Sequence, residues 1–392
     1  MAPHGLRTYN FDLLNYPALP ADAPRTPIPN NFFDPVTGAR NYAEHLDEMA
    51  YCEELGFDGV VFNEHHYSAY GTMPSPNLIA AALSQRTKRM RIGVLGSILP
   101  LRGHPVRVAE EYAMLDCLTG GRLIAGFVRG VPAEYIWYNV NPTESRGRFE
   151  EAYEVILTAW REASWSYRGR YFQFENCAVW PRPLQQPHPP IWVAARSAES
   201  LDWCANRRIP VAQVYQTTDQ IADTFAYYRK VAVDKGWQAT PDSFILTRHI
   251  HVAETDEAAR RVAEPAIRYF FSLLGRGFNE AVNERVAEQQ RLLSTLNTER
   301  SFSYFRPGNE QRVNFAALGW EDLLASGYVI CGSPDTVARE LSRQLSEVGA
   351  EHFMGMFHIG NMEHKHVISS LELFRQQVVP QVPIDAARTA GA

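Results

Sequence analysis

A closed parallel (β/α)8 barrel is the fold this sequence predicts, and three observations carry the prediction. Short β-branched or aromatic runs alternate with longer segments of helical period along the 392 residues, and the alternation completes eight units. Glycines stop helical segments, at Gly56 and at Gly120-Gly121. No GxGxxG follows the first strand, so the signature of a doubly wound open sheet is missing.

Residues 8–14 form the first strand, and Leu46, Met49, Ala50 and Leu55 then recur at helical spacing before Gly56. Residues 59–63 and 77–87 make the second strand and helix, and Arg91–Ile98 with Pro105–Leu118 the third pair. Leu123–Val128 is the fourth strand, with a helix over about 145–160; Ile191–Ala194 is the fifth, with a helix over 198–206. Strands six and seven, 211–215 and Phe244–Val252, precede helices over about 219–235 and 256–274. Residues 353–357 close the ring before a helix over 367–379.

Insertions follow strands one, four and seven. The first, 17–38, is Pro-rich and is expected as a largely helix-free cover over the carboxyl end of the barrel. The second, 161–190, places Tyr171, Phe172 and Phe174 partly at period two ahead of a proline cluster, which reads as a small hairpin and a rigid connector. The third, about 275–327, is long, polar and partly helical, which suits a lid. Residues 1–392 read as one barrel domain, since this fold fills such a length without a break.

Composition narrows the function. The chain is 45% hydrophobic and 21% charged, with 38 Lys+Arg against 44 Asp+Glu and a net charge of −6. That balance offers no basic footprint for nucleic acid or an anionic membrane. Cys52, Cys117, Cys177, Cys204 and Cys331 stand far apart and odd in number, against a disulfide framework or zinc cage. No signal-peptide core or long apolar run is present, and the expectation is a cytoplasmic protein.

In a parallel barrel the reactive groups stand at the carboxyl ends of the strands. Those ends carry Glu64-His65-His66, Arg129-Gly130, Arg196 to Ser200, and His358. Ser197 and Ser200 put two hydroxyls at the start of a helix, where free backbone N–H groups favour an anion, and Arg129 on the adjacent strand adds a guanidinium. Ser197 as a plain cap and Arg129 paired with an acid such as Glu134 is the other reading of those residues. Glu64-His65-His66 is a poor metal site, because consecutive residues of an extended chain point apart and no further ligand motif accompanies them. An imidazole at the mouth suits proton transfer near neutral pH, or else bonds a loop carbonyl. His249 and His251 share a face and read as a packed, hydrogen-bonded pair. Gly332 to Asp335 is explained by helix capping. A glycine within the third strand, at Leu95-Gly96, indicates a bulge or a close approach to a flat ligand. Tyr215, Trp137 and Tyr138 wall an apolar pocket, or pack in the core.

Taken jointly, GFDGVVFNEHH (56–66), the run from Arg91 to Leu123, GFVRG (126–130), SRGRFEEAYEVI (145–156), PPIWVAARSAES (189–200) and the run 332–353 resemble the bacterial luciferase-like flavin-dependent monooxygenases. The resemblance implies a TIM-type barrel and a two-component enzyme. Reduced FMN from a separate flavin reductase would react with O2 to a C4a-peroxyflavin and oxygenate a small organic substrate. It implies flavin phosphate at Arg129, Ser197, Ala198 and Ser200, the ring at Leu95-Gly96 and Tyr215, His65 as catalytic residue, and a substrate pocket at Glu64, His66, Trp137 and Tyr138. A homodimer through barrel helices two and three is expected. An F420-dependent hydride-transfer enzyme, or a non-catalytic flavin-binding protein, are the alternatives. Val128 and Arg196 replace luciferase's cysteine and acid, so light emission is not implied.

Overall fold

The computed structural model describes residues 5–24, 28–278 and 315–383. Its strands are β1 (Arg7–Asp12), β2 (Gly59–Phe62), β3 (Arg91–Ile98), β4 (Leu123–Val128), β5 (Trp165–Arg168), β6 (Gln173–Cys177), β7 (Ile191–Ala194), β8 (Val211–Gln213), β9 (Phe244–Val252), β10 (Val329–Gly332) and β11 (His352–Met356). The helices are α1 (Pro35–Leu55), α2 (Pro76–Arg86), α3 (Pro105–Leu118), α4 (Pro132–Trp137), α5 (Ser145–Arg161), α6 (Ala198–Arg207), α7 (Thr218–Asp234) and α8 (Asp256–Phe278), then α9 (Trp320–Ala325), α10 (Pro334–Val348) and α11 (His364–Leu373).

Eight strands close into a parallel ring in the order β1-β2-β3-β4-β7-β8-β9-β11, with β11 returning to β1. The expected barrel is therefore present. β5 and β6 form the antiparallel hairpin expected in the second insertion. β10 was not foreseen from the sequence. It pairs with the second half of β9, where Val329 lies against His249, while β8 occupies the first half of the same edge. No helix among the described residues is long and apolar enough to cross a membrane.

The first insertion is shorter than expected, because Asp34 caps α1 through the N–H groups of Val36 and Thr37, with Pro35 at the first helical position. The cover is tied to α8: Leu19 N–H donates to Tyr269 Oη (2.9 Å), and Tyr269 donates to the Tyr16 carbonyl (2.7 Å). Leu19 and Ala23 within it are buried. Most of the expected lid, 275–327, lies outside the described residues.

Between α1 and the strand ends lies a buried chain of alternating acids and imidazoles. Asp12 Oδ2 meets His45 Nδ1 at 2.7 Å, and Glu48 meets His358 Nδ1 and His364 Nδ1, both at 2.8 Å. Ligand atoms of His45, Glu48 and His358 lie within 4.8 Å of one another. The two imidazoles nevertheless stack at 3.9 Å and 18°, and lone pairs in nearly parallel planes do not converge on one ion. The cluster reads as an ionic network that pins α1 and α11 to the barrel.

His249 and His251 correct an expectation. Both are buried, but neither nitrogen of His249 nor Nδ1 of His251 has a hydrogen-bond partner among the described residues. The His249 ring packs instead against Phe270 at 4.4 Å. Burial pushes His249 down to about 3 and His251 to about 4.

These shifts set a pH dependence. Burial would depress His45, but Asp12 outweighs it and raises the ring to about 8. Its stabilisation is complete below the ordinary 6.5 and lost as pH rises through about 8. Burial would raise Glu48, but His358 and His364 hold it at about 2; its contribution, present above 4.5, is lost on acidification. His249 and His251 stay neutral while the unfolded chain protonates, so each destabilises progressively below 6.5. The thermal midpoint should therefore peak near pH 6.5, and His249→Phe should flatten the acid limb. A midpoint that stays constant from about pH 8 to about pH 5 would contradict this assignment.

Candidate active site

The carboxyl ends of β2 and β4 converge on one buried carboxylate. Glu134 sits in the first turn of α4 and is fully buried. Its Oε2 accepts from Val131 N–H (3.4 Å), and its own N–H donates to the Val131 carbonyl (3.1 Å), so the helix start positions it. Its Oε1 reaches across to the β2 loop, meeting His65 Nδ1 at 3.0 Å and accepting from His66 N–H at 3.2 Å. The sequence alone suggests Glu134 only as a partner for Arg129. Its place three residues into a helix directly after the fourth strand was the available signal.

His65 and His66 face different partners, as expected for consecutive residues. The His66 ring lies between Glu64 Oε1 (3.0 Å at Nε2) and Tyr138 Oη (2.7 Å at Nδ1). Glu64 also takes an ion pair from Arg102, just beyond β3. Burial would lower the Arg102 guanidinium, but Glu64 beside it turns the net shift upward. Glu64 and His66 are buried, and both nitrogens of the His66 ring are engaged, by Glu64 and by Tyr138. Trp137 and Tyr138 do lie at the mouth: Tyr67 packs on them with ring centroids 5.4 and 5.8 Å away, and Tyr67 and Tyr138 are exposed.

His65 and Tyr215 are brought together by Tyr70, a residue the sequence reading passed over. The His65 ring meets Tyr70 edge-on at 4.9 Å, and the Tyr70 and Tyr215 hydroxyls are 2.6 Å apart. Burial and then Tyr70 raise the Tyr215 phenol well above its usual range. Arg196 donates to the Tyr215 carbonyl (3.4 Å).

The glycine in β3 does mark a bulge. The Leu95-Gly96 peptide is cis, and the β3–β4 register slips between Val94 and Ser97. A Cβ on Gly96 would stand 2.6 Å from the backbone of Gly126 on β4, so the two strands touch there only because both residues lack side chains.

At the end of β7, Ser197 caps α6 by accepting from Ser200 N–H (3.3 Å), and the two hydroxyls lie 2.9 Å apart. Ala198 is the first helical residue. Arg146, near the start of α5, donates to Ser200 Oγ (3.4 Å) and pairs with Glu199 (2.8 Å). It belongs to this corner and was missed, although it lies in one of the motifs that carry the resemblance. Arg129 follows β4, which pairs with β7 through Phe127 and Val193, so both strand ends face the same sector; the Arg129 carbonyl accepts from Tyr135 Oη.

Glu134→Leu should destabilise the chain by about 1–3 kcal/mol by orphaning the His66 and Val131 N–H groups. It should also release the His65 ring from its single tautomer, read by imidazole 15N shifts. An unaltered His65 spectrum would contradict the role given to Glu134.

The sequence pattern of the luciferase-like monooxygenases matches residues 28–352. The oxygenase component of a flavin-dependent trigonelline monooxygenase from Acinetobacter baylyi is 28% identical over 271 residues, 68% of this chain and 73% of its own length. The oxygenating constituent of a 3,6-diketocamphane monooxygenase from Pseudomonas putida, solved with FMN, superposes with a TM-score of 0.74 at 16% identity, covering 97% of this chain and 99% of that one. An F420-dependent secondary alcohol dehydrogenase superposes with a TM-score of 0.67 at 16% identity, over 97% and 99% of the two chains. The two structures share the fold, while the sequence match spans most of the barrel and both walls of the mouth: this chain belongs to the luciferase-like monooxygenase family.

Proposed function

We propose that this chain is the oxygenase component of a two-component flavin monooxygenase, which uses reduced FMN from a separate reductase and O2 to oxygenate a small organic substrate. The observation that carries the reading is the hydroxyl pair Ser197/Ser200 with Arg146 at the start of a ten-residue helix, on strands adjacent to Arg129. Two hydroxyls, free helix N–H groups and guanidiniums are the donor set that a dianionic phosphate requires. Glu199 shares Arg146 in this corner and would give up part of that contact to the phosphate.

Bound reduced FMN would supply the two electrons that activate O2, with one oxygen atom passing to substrate and the other leaving as water. The protein's part is to hold and shield. Arg129, Arg146, Ser197 and Ser200 bind the phosphate. The Leu95-Gly96 bulge and Tyr215 support the ring. Glu134 fixes His65 through Nδ1, which leaves Nε2 as the nitrogen that moves a proton at the reacting oxygen. Tyr67, Trp137 and Tyr138 exclude water at the mouth.

The F420-dependent relative in fold keeps a second reading, hydride transfer without oxygen, in play, because both cofactors offer a ring and a phosphate to the same corner. Titration with FMN and with F420, together with oxygen uptake, separates the two. On the leading reading, FMN binds, and FMNH2 bound anaerobically returns to oxidised-flavin absorbance more slowly than free FMNH2 after mixing with O2. Ser197→Ala should weaken FMN about 10–100-fold, the worth of a hydrogen bond to a charged group. His65→Ala should keep FMN binding while turnover falls about 10²–10⁴-fold. Reoxidation at the free-flavin rate, or F420 binding without oxygen uptake, would reject the monooxygenase.

A homodimer completes the proposal. Leu78 on α2 and Met114 and Leu118 on α3 are exposed apolar side chains on the helices expected to pair. Light scattering should give twice the monomer mass, reduced to the monomer by Met114→Glu with Leu78→Glu; a monomeric parent chain would refute it.

A further inference from the structure

The amino-terminal mouth of the barrel, opposite the strand ends described above, contains a cavity of about 380 Å³. Arg7 opens β1 and Arg91 opens β3; Arg161 ends α5, and Arg207 and Arg208 close α6. All five arginines line this one concavity, and among the described residues Asp242 is its sole lining carboxylate, in a chain of net charge −6.

Local pairing accounts for only part of this. Cations are favourable at the carboxyl ends of α5 and α6. Arg207 pairs with Glu154 (2.9 Å) and Arg7 with Asp242 (3.1 Å). Among the described residues the other three make their contacts with neutral groups: Arg91 donates to Gln185 Oε1 (3.2 Å), Arg161 meets His188 Nε2 (2.9 Å), and Arg208 lies over the Trp237 ring at 5.6 Å. Burial and then Arg161 lower His188, keeping it a neutral acceptor.

A second observation comes from His352, which also lines the cavity and is 3% exposed. Its Nε2 meets Asp242 Oδ1 at 2.8 Å, while Nδ1 is buried with no hydrogen-bond partner among the described residues. That nitrogen is also shut off from the cavity, so the His352 ring belongs to its floor. Beside it, Tyr9 stacks on His352 (5.7 Å) and meets Trp192 edge-on (5.1 Å), which gives the cavity an aromatic base.

We propose that this cavity binds a small organophosphate carrying at least two negative charges. Guanidiniums match phosphate oxygens in pairs, and the aromatic base receives a planar organic group. The volume is that of a small-molecule site rather than of a surface for a folded acidic partner. This site is independent of the flavin phosphate corner, which lies at the other end of the strands.

The test is calorimetric titration of the full chain with pyrophosphate and with ADP, at ionic strength held constant with NaCl, with and without saturating FMN. Pyrophosphate should bind equally in both conditions, and ADP more tightly. Arg91→Gln with Arg161→Gln should weaken pyrophosphate at least tenfold and leave FMN binding unchanged; the exposed Arg161→Gln alone, the safer variant for folding, should weaken it at least threefold. Absence of pyrophosphate binding, equal affinity in these variants, or binding abolished by Ser197→Ala would overturn the proposal. ADP binding no tighter than pyrophosphate would overturn the organic part of it.

Discussion

A carboxylate buried at the mouth of the barrel is the constraint on which the site depends. An ionised acid out of water must be satisfied by the groups around it. Glu134 achieves this by reaching from the loop after β4 to that after β2, taking His65 Nδ1 and the His66 N–H together. Two strand-end loops are thereby locked to each other, and the orientation of the His65 imidazole is set with them. The second acid, Glu64, works similarly behind it, joining Arg102 from the β3 loop to His66. Two adjacent histidines thus have separate duties: His65 faces Tyr70 and the mouth, and His66 is part of the frame.

The closed ring adds a second constraint. Because all eight strands run parallel, one mouth collects every carboxyl end and the other every amino end. The mouth with the carboxyl ends carries the serine hydroxyls and the His65–Glu134 pair; the opposite one gathers five arginines around a floor of Tyr9, Trp192 and His352. The close contact of β3 and β4 at Gly96 and Gly126 coincides with a slip in their register, on the strand pair next to β7 and the helix start at Ser197. The wall is therefore irregular at the place where a flat ring and its phosphate tail are proposed to lie.

Much of this was legible in the sequence. Arg91–Ile98, Leu123–Val128, Ile191–Ala194 and Phe244–Val252 are found where the β-branched and aromatic runs put them, because strands buried on both faces are rich in such residues, a signal that β9 keeps although Arg248, His249 and His251 interrupt it. β10 escaped notice: it is four residues long and pairs only along the second half of β9, so it leaves no periodic signal. Ser197 and Ser200 were readable because capping is local. Arg146 and Tyr70 were not, since their partners Ser200 and Tyr215 lie 54 and 145 residues away, and Glu134 offered only its place at a helix start. His249 was read as hydrogen-bonded because two histidines on one strand face suggest a polar pair. Nothing in the strand itself shows that Phe270 of α8 will close over it.

The central claim is that a dianionic phosphate is held at Ser197 and Ser200 while the attached ring lies against the β3 bulge and beside His65. A crystal structure of the chain soaked with FMN tests it most directly. The account predicts phosphate oxygens within hydrogen-bond distance, about 2.7–3.2 Å, of both serine hydroxyls and of a guanidinium from Arg129 or Arg146. Phosphate density in the arginine-lined cavity at the other mouth, with the serine corner bare, would contradict it.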